Sequence, residues 1–509
     1  MSRLSDKLLA LSAFRRPPFK PIPFGKWGPD LPDYANPGAT VATNVIGAKA
    51  SYRPAQDLVV QSDALVDRAR GAIAASDSSG NAFFYAGDET ALYQIRNQTV
   101  TEKSGATYAT AATDNWEFVE FNGVIIATNY TNPIQGLAVG GGGNFADHLT
   151  STLKPKARHI GIWRDFVVIG NTVDGTDGTK PNRVWWSGIR DAVDFDPDAT
   201  TQSDFQDIAD GGEVTRIVDG VEYGIAFQER MIQRVTYVGS PLIFDFHPID
   251  RRRGSPVPGS IIPYGRFTFF WTEEGFFYND GSQSYPIGSD QVDRTFRNQF
   301  DLTNAHFMSG AVDPVNKTVV WAFPGAESTA GAPNKLYVYY WPEQKWSEVD
   351  IDTEIIVRAL TQGFSLEDLD SLTTDIDDGT LESFDSPTYQ GGVNRFAAFD
   401  PNHRLAYFTG DNLAATLETG EFQITPGRRS LLNKARSLID GGTISMAVAG
   451  REKLTDSVTF GSAASMNGSG EFSLRKDARY HRLRCTIAAG GDWQHCQGVE
   501  HDGKARGRR

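Results

Sequence analysis

Along most of this chain apolar residues occur in short alternating runs, each closed by glycine, asparagine, aspartate or proline, which is the two-residue period of half-buried strands joined by tight turns. From Tyr264 to Phe323 the pattern is densest. FTFFW and GFFYN predict two strands folded about Glu273–Gly275, and a third approaches Pro286. SDQVDRTFRNQF then changes period, because Val292, Phe296 and Phe300 recur every four residues and predict a short amphipathic helix with Ser289 at its N-cap. AVDPVNKTVVWAF predicts a hairpin turned at Asp313-Pro314, where proline presets the φ of a type I turn.

A longer period overlies the strands. Strand blocks ending in a turn recur near Leu92, Gln135, Val184, Ile232, Phe276 and Leu336, and EFNGVIIAT (120–128), IWRDFVVIG (162–170) and PYGRFTFFW (263–271) repeat one apolar–turn–apolar motif. The turn at Asp313-Pro314 is echoed at Asp400-Pro401. A repeated four-strand unit of about 40–50 residues is the mark of a β-propeller, since radial stacking covers both faces of sheets that cannot cover themselves. The expected fold is all-β: a propeller of six or seven blades over 65–411, preferred to a tandem of β-sandwiches. Residues 1–64 are expected as an extended proline-rich arm, its prolines at 17, 18, 21, 23, 29, 32, 37 and 54 unfit for central strands. The arm's aromatics, Phe19, Phe24, Trp27 and Tyr34, must pack either on their own subunit or on a neighbour. Residues 412–509 read as an antiparallel β-sandwich or strand platform, partly continuous with the last blade, with a basic tail.

Composition sharpens this. The chain has 509 residues, 51 glycines and 11% aromatics, which suits many short strands. Its net charge of -14 argues against a surface that wraps nucleic acid or anionic membrane. The amino terminus has an apolar run broken by Ser12 and followed by Arg15 and Arg16, so no secretory signal is expected, and no stretch predicts direct membrane insertion. The two cysteines, Cys485 and Cys496, would face each other if Gly490-Gly491 turned a hairpin. A disulfide is geometrically open to them, but two packed free thiols are favoured.

Candidate chemistry is thin. The acidic insertion 363–395 carries Asp375, Asp377 and Asp378, but Gly379 falls out of register for a calcium loop, so a solvated segment is expected and no metal or cofactor is implied. SDSSGNAFF (76–84) narrowly misses the sialidase-type Asp-box and predicts a blade hairpin. The eight histidines are scattered without ligand spacing, and GGGGN (140–144) lacks the Lys-Ser/Thr of a phosphate loop. Arg251, Arg252 and Arg253 form the compact basic cluster, a candidate for subunit or partner contact.

The order FTFFWTEEGFFYNDGSQSYPIG, SDQVDRTFRNQF, VDPVNKTVVWAFP resembles the tail nozzle, or DNA-stabilising tail-hub, proteins of short-tailed bacteriophages. IVDGVEYGIAFQERMIQRVTYVGS (217–240) and the ending ARYHRLRCTIAAGGDWQHCQGVE are similar to further parts of that family. The resemblance implies a virion tail protein assembled in the bacterial cytoplasm and lacking catalytic residues. It implies a homohexameric tube docked to the adaptor below the portal and to a needle, spike or fibre protein. The tube would retain the packaged genome and let double-stranded DNA pass without sequence-specific binding. Trp27, Tyr34, Arg251–Arg253 and Asp375, Asp377 and Asp378 are the candidate subunit or partner contacts. Two rivals remain: a distal-tail or baseplate protein of a long-tailed phage or gene-transfer particle, and a glycan-binding or glycan-hydrolysing propeller with aromatics and paired carboxylates at one mouth.

Overall fold

In the computed structural model, which describes residues 19–96, 98–360, 392 and 394–506, the turns named above close antiparallel hairpins. Asp313 shows how. Its Oδ1 accepts from the N–H groups of Val315 and Asn316 at 3.0 and 3.1 Å, which locks the turn between strands Ser309–Asp313 and Thr318–Phe323. Asp400 does the same for Asn402 and Arg404 at 2.9 and 3.0 Å. Asp77 accepts from Ser79 and Asn81 at 2.9 and 2.8 Å, so the near Asp-box is a hairpin between the first two strands of a blade.

Repetition of such hairpins gives a seven-bladed β-propeller. Six blades are consecutive, over 71–102, 117–147, 156–207, 214–250, 262–286 and 309–350. Blade seven takes three strands from 356–412 and its outermost strand, Gln56–Ala64, from the N-terminal region, antiparallel to Arg404–Asn412. The ring is thus closed by hydrogen bonds between residues distant in sequence. Leu92, Gln135, Val184, Ile232, Phe276 and Leu336, the landmarks of the sequence repeat, all lie in the third strand of their blades. The innermost strands, Gly71–Ser76, Glu117–Phe121, Lys156–Trp163, Val214–Val218, Ile262–Tyr264, Ser309–Asp313 and Ile356–Leu360, surround the axis.

The second body is a sandwich, and it is not a separate appendage. The sheet of blade six continues beyond Lys345–Asp350 through the arm strand Ala39–Thr43 into Ala415–Thr419, Tyr480–Ile487, Ile444–Arg451 and Ala464–Ser465, nine strands in all. A parallel contact between Thr43 and Glu348 makes the junction, with Asn44 N donating to Glu348 O at 2.7 Å and Asp350 N to Asn44 Oδ1 at 2.8 Å. The facing sheet contains Val45–Ala48, Ser51–Pro54, Cys496–Ala505, Ser430–Ile439 and Phe472–Ala478, with Lys20–Pro23 paired along Cys496–Ala505. The residues expected only as an extended arm therefore carry five strands. The two prolines in Lys20–Pro23 are tolerated because that strand is added beside the sheet's main order. The expected continuity also falls on blade six instead of the last blade.

The block 262–323 lies where the two bodies meet. Helix Asp293–Gln299 buries Phe296 completely against Trp271, Phe276, Phe300, Phe323 and Tyr337, with ring centroids 4.7–5.7 Å apart. One hydrophobic core joins these residues to Phe24, Trp27, Leu417 and Leu483 of the arm and sandwich. The expected apolar face of Val292, Phe296 and Phe300 is buried as drawn, but Ser289 does not cap the helix: Val292 occupies that position and offers no side-chain acceptor. Asp30, from the arm, supplies the cap instead. Its carboxylate accepts from Arg294 N at 2.7 Å and Thr295 N at 2.8 Å. Gly275 permits this packing, with φ +136° and a place where a Cβ would meet Asp293 Oδ2 at 2.2 Å. No helix among the described residues is long and apolar enough to cross a membrane.

Candidate functional site at the propeller axis

The inner strands of a propeller are edge strands facing an axial space, so side chains at their starts converge on one mouth. Here those starts are unusually charged. Glu117 opens the inner strand of blade two and is mostly buried. Its Oε1 accepts from His159 Nδ1 (blade three) at 2.9 Å and Arg216 Nη1 (blade four) at 2.7 Å, and its Oε2 accepts from Ile160 N at 3.1 Å. Burial opposes the charge on Glu117, but Arg216 and His159 outweigh it and hold the carboxyl below its ordinary range. Asp114, just before the strand, pairs with Arg158 Nη1 at 3.2 Å, yet burial keeps its pKa above the usual value. Glu213 accepts from Asn171 at 2.9 Å, and the guanidinium of Arg158 lies 4.4 Å from the Tyr130 ring centre.

The segment Leu302–Phe307, between blades five and six, folds over this mouth. The main-chain oxygen of His306 accepts from Asn115 at 3.1 Å, and the Phe307 ring lies 3.5 Å from the guanidinium of Arg68, just before blade one. Burial, then the nearby Arg68 and Arg70, push the His306 imidazole below its ordinary pKa. Burial also lowers Arg68, to about 10. Beside this segment lies a half-open cavity of about 580 Å³ lined by the inner strands of blades one, two, five, six and seven and by Arg216 of blade four. At the edge of blade seven, Glu354 accepts from Ala69 N at 2.9 Å and faces His403 Nδ1 at 2.5 Å.

The arrangement is poor in free catalytic groups. The mouth carboxylates are engaged by arginine, histidine, asparagine or main-chain N–H groups. Tyr130, which a sugar would need as a stacking platform, is covered by Arg158. No group of three or more His, Cys, Asp or Glu among the described residues is placed to hold a metal ion.

The residues singled out from sequence lie elsewhere. Trp27 is buried in its own subunit, 5.4 Å edge-on to Tyr337, with Nε1 donating to Thr40 O at 3.3 Å. Tyr34 is 41% exposed and meets Tyr480 edge-on at 5.2 Å. Both aromatics therefore rest on the subunit's own body, one buried and one still partly available. Arg251–Arg253 follow the outermost strand of blade four, away from the axis. Arg253 is spent on Glu274 at 2.8 Å and Asp250 at 3.6 Å, while Arg251 and Arg252 are exposed. Asp375, Asp377 and Asp378 lie outside the described residues. Cys485 and Cys496 do come together as free buried thiols, but not across a hairpin: their strands belong to opposite sheets of the sandwich. The axial cluster was missed because its members are single charged residues at the starts of separate strands, a signal visible only once the strands are arranged radially.

No family model and no curated protein matches this chain. Similar solved structures include the computationally designed Ika8 protein, at 8% identity and a TM-score of 0.37, covering 69% of this chain and 99% of that one. Another is the Neurospora crassa Pan2 WD40 domain, at 8% identity and a TM-score of 0.39, covering 69% of this chain and 95% of that domain. The propeller assignment rests on the chain's own seven four-strand units.

Proposed function

We propose that this chain is a structural virion protein of the tail-nozzle type. In this reading it is a subunit of a homohexameric tube that docks to an adaptor above and to needle, spike or fibre proteins below, retaining the packaged genome and conducting it on ejection. The observation that carries the reading is the continuous nine-stranded sheet joining propeller and sandwich, which makes one rigid block suited to load-bearing in a ring. The block 262–323, on which the resemblance rests, is the weld itself, with Phe296 and Trp321 fully buried in it. The engaged carboxylates of the axial mouth favour construction over hydrolysis.

The propeller's own axis is not the DNA path in this account. A half-open cavity of about 580 Å³ is the size of a small-molecule pocket, so in this reading the genome channel is enclosed between copies. A net charge of -14 per copy then favours walls that do not grip phosphates, because little counterion release is available to bind them. Negative-stain electron microscopy of the purified chain mixed with its portal–adaptor complex tests the proposal. Six-fold density added at the adaptor end supports it. A chain that ignores the adaptor and binds glycan weakly overturns it.

A further inference from the structure

The axial cavity has a charge opposite to that of the protein. Its charged lining is Arg68, Arg70, Arg216 and Arg358 against the single carboxylate of Glu117, in a chain of net charge -14. Glu117 is already engaged by Arg216 at 2.7 Å. Arg70 is held by the carbonyls of Thr110 and Ala111 at 3.0 and 2.6 Å and by Glu89 at 2.6 Å. Among the described residues Arg68 makes no ion pair; it lies on the Phe307 ring, and its Nε and Nη2 are buried without a hydrogen-bond partner there. Arg358 is exposed and, among the described residues, donates to Asn394 Oδ1 at 3.0 Å. Small residues along the inner strands, Ala72, Ala74, Gly310 and Ala359, leave the space open. The carboxylates of Glu354 and Asp67 act on Arg68 at longer range, which leaves its buried N–H groups without a direct acceptor. Nearby Arg70 adds to the positive potential at Arg68, and the same arginines, after burial, push His306 toward its neutral form.

We propose that the axial cavity is a binding site for a compact ligand bearing several anionic oxygens, phosphate or carboxylate, with Arg68 as its principal charge partner and Arg358, on the inner strand of blade seven, as a second. Several anionic oxygens are required because the cavity, at about 580 Å³, is far larger than a single oxyanion and presents guanidinium groups from separate blades. The site is independent of the nozzle reading: a propeller of any function could carry it.

The test is isothermal titration of the full chain with pyrophosphate and, separately, with citrate, at low ionic strength. The proposal predicts saturable one-to-one binding, weakened at least tenfold by Arg68→Gln and severalfold by Arg358→Gln, with Arg252→Gln, on the exposed loop after blade four, unchanged. Arg358→Gln removes only an exposed side chain, so it keeps the test decisive if Arg68→Gln fails to fold. Tighter binding of pyrophosphate assigns the site to phosphate-bearing ligands and tighter binding of citrate to carboxylates. Absence of saturable heat for both probes overturns the proposal. So does equal weakening by Arg252→Gln, which would mark a diffuse surface effect.

Discussion

Truncating Phe296 to alanine probes the weld between propeller and sandwich. Its side chain is fully buried and surrounded by five aromatic rings from blades five and six and the helix's own C-terminal end, with the closest centroids at 4.7 Å. Transfer of the lost atoms to water accounts for about 1.5–3 kcal/mol. The cavity left in a close-packed cluster brings the usual total to about 3–5 kcal/mol. Lost edge-to-face contacts, each worth about 0.5–1.5 kcal/mol and not additive, place Phe296→Ala toward the upper end of that range. The assay is a urea titration with two reporters. Tryptophan fluorescence comes from ten tryptophans, of which Trp271, Trp321 and Trp346 surround the site, and the reactivity of Cys485 and Cys496, both fully buried in the sandwich, follows the second body. One cooperative unit predicts that both midpoints fall together by the urea equivalent of about 4 kcal/mol. Val315→Ala, at a residue 72% exposed, should move neither beyond about 0.5 kcal/mol. A loss below about 1 kcal/mol, or a fluorescence shift that leaves the thiols unaffected, would refute the reasoning.

Three further outcomes follow from the same geometry. Asp30→Ala removes the cap accepted from Arg294 N and Thr295 N and should cost about 1–2 kcal/mol in chemical denaturation, with Asp30→Asn recovering part of it. Asp293 is raised to about 6, chiefly by burial, so the stability associated with its neutral form is present at acid pH and lost as pH rises through about 6. Asp293→Asn should therefore stabilise the protein by about 1 kcal/mol at pH 8, allowing for screening of a partly exposed group, and should lose that advantage near pH 4. His501 is lowered to about 4, first by burial and then by Lys20 and His481. Its neutral form is favoured in the fold, so its contribution is whole above the ordinary histidine range and falls as pH drops from about 6.5 toward 4. Histidine-selective NMR of the folded chain should show the resonance of residue 501 still unprotonated at pH 5.5, a result that an exposed histidine would not give.

Local chemistry was the part of the fold most legible in the sequence. Asp77, Asp313 and Asp400 announce their turns because the side chain that makes the turn sits inside it, and the spacing of Leu92 through Leu336 tracks the third strands because each blade repeats one pattern. What depends on distant partners was not legible. Strand Gln56–Ala64 closes blade seven by pairing with residues more than 300 positions away, and Ala39–Thr43 enters the nine-stranded sheet between strands of two different bodies. Proline density upstream hid both. Asp30 is likewise invisible as a cap, since it reaches the helix from another part of the chain. The cysteine pair shows a contact expected for the wrong reason: sheet-to-sheet packing brings Cys485 to Cys496, not a turn at Gly490-Gly491. At the axis, Arg68, Glu117, His159 and Arg216 are unremarkable singly and become a site only when the blades close.

The central claim is that the chain closes the route by which a packaged genome leaves its particle. The direct measurement is DNA retention in particles assembled without the chain and then supplied with the purified protein. The account predicts that such particles package DNA and then lose it, and that added protein seals them. Particles that hold their DNA equally well without the chain would contradict it.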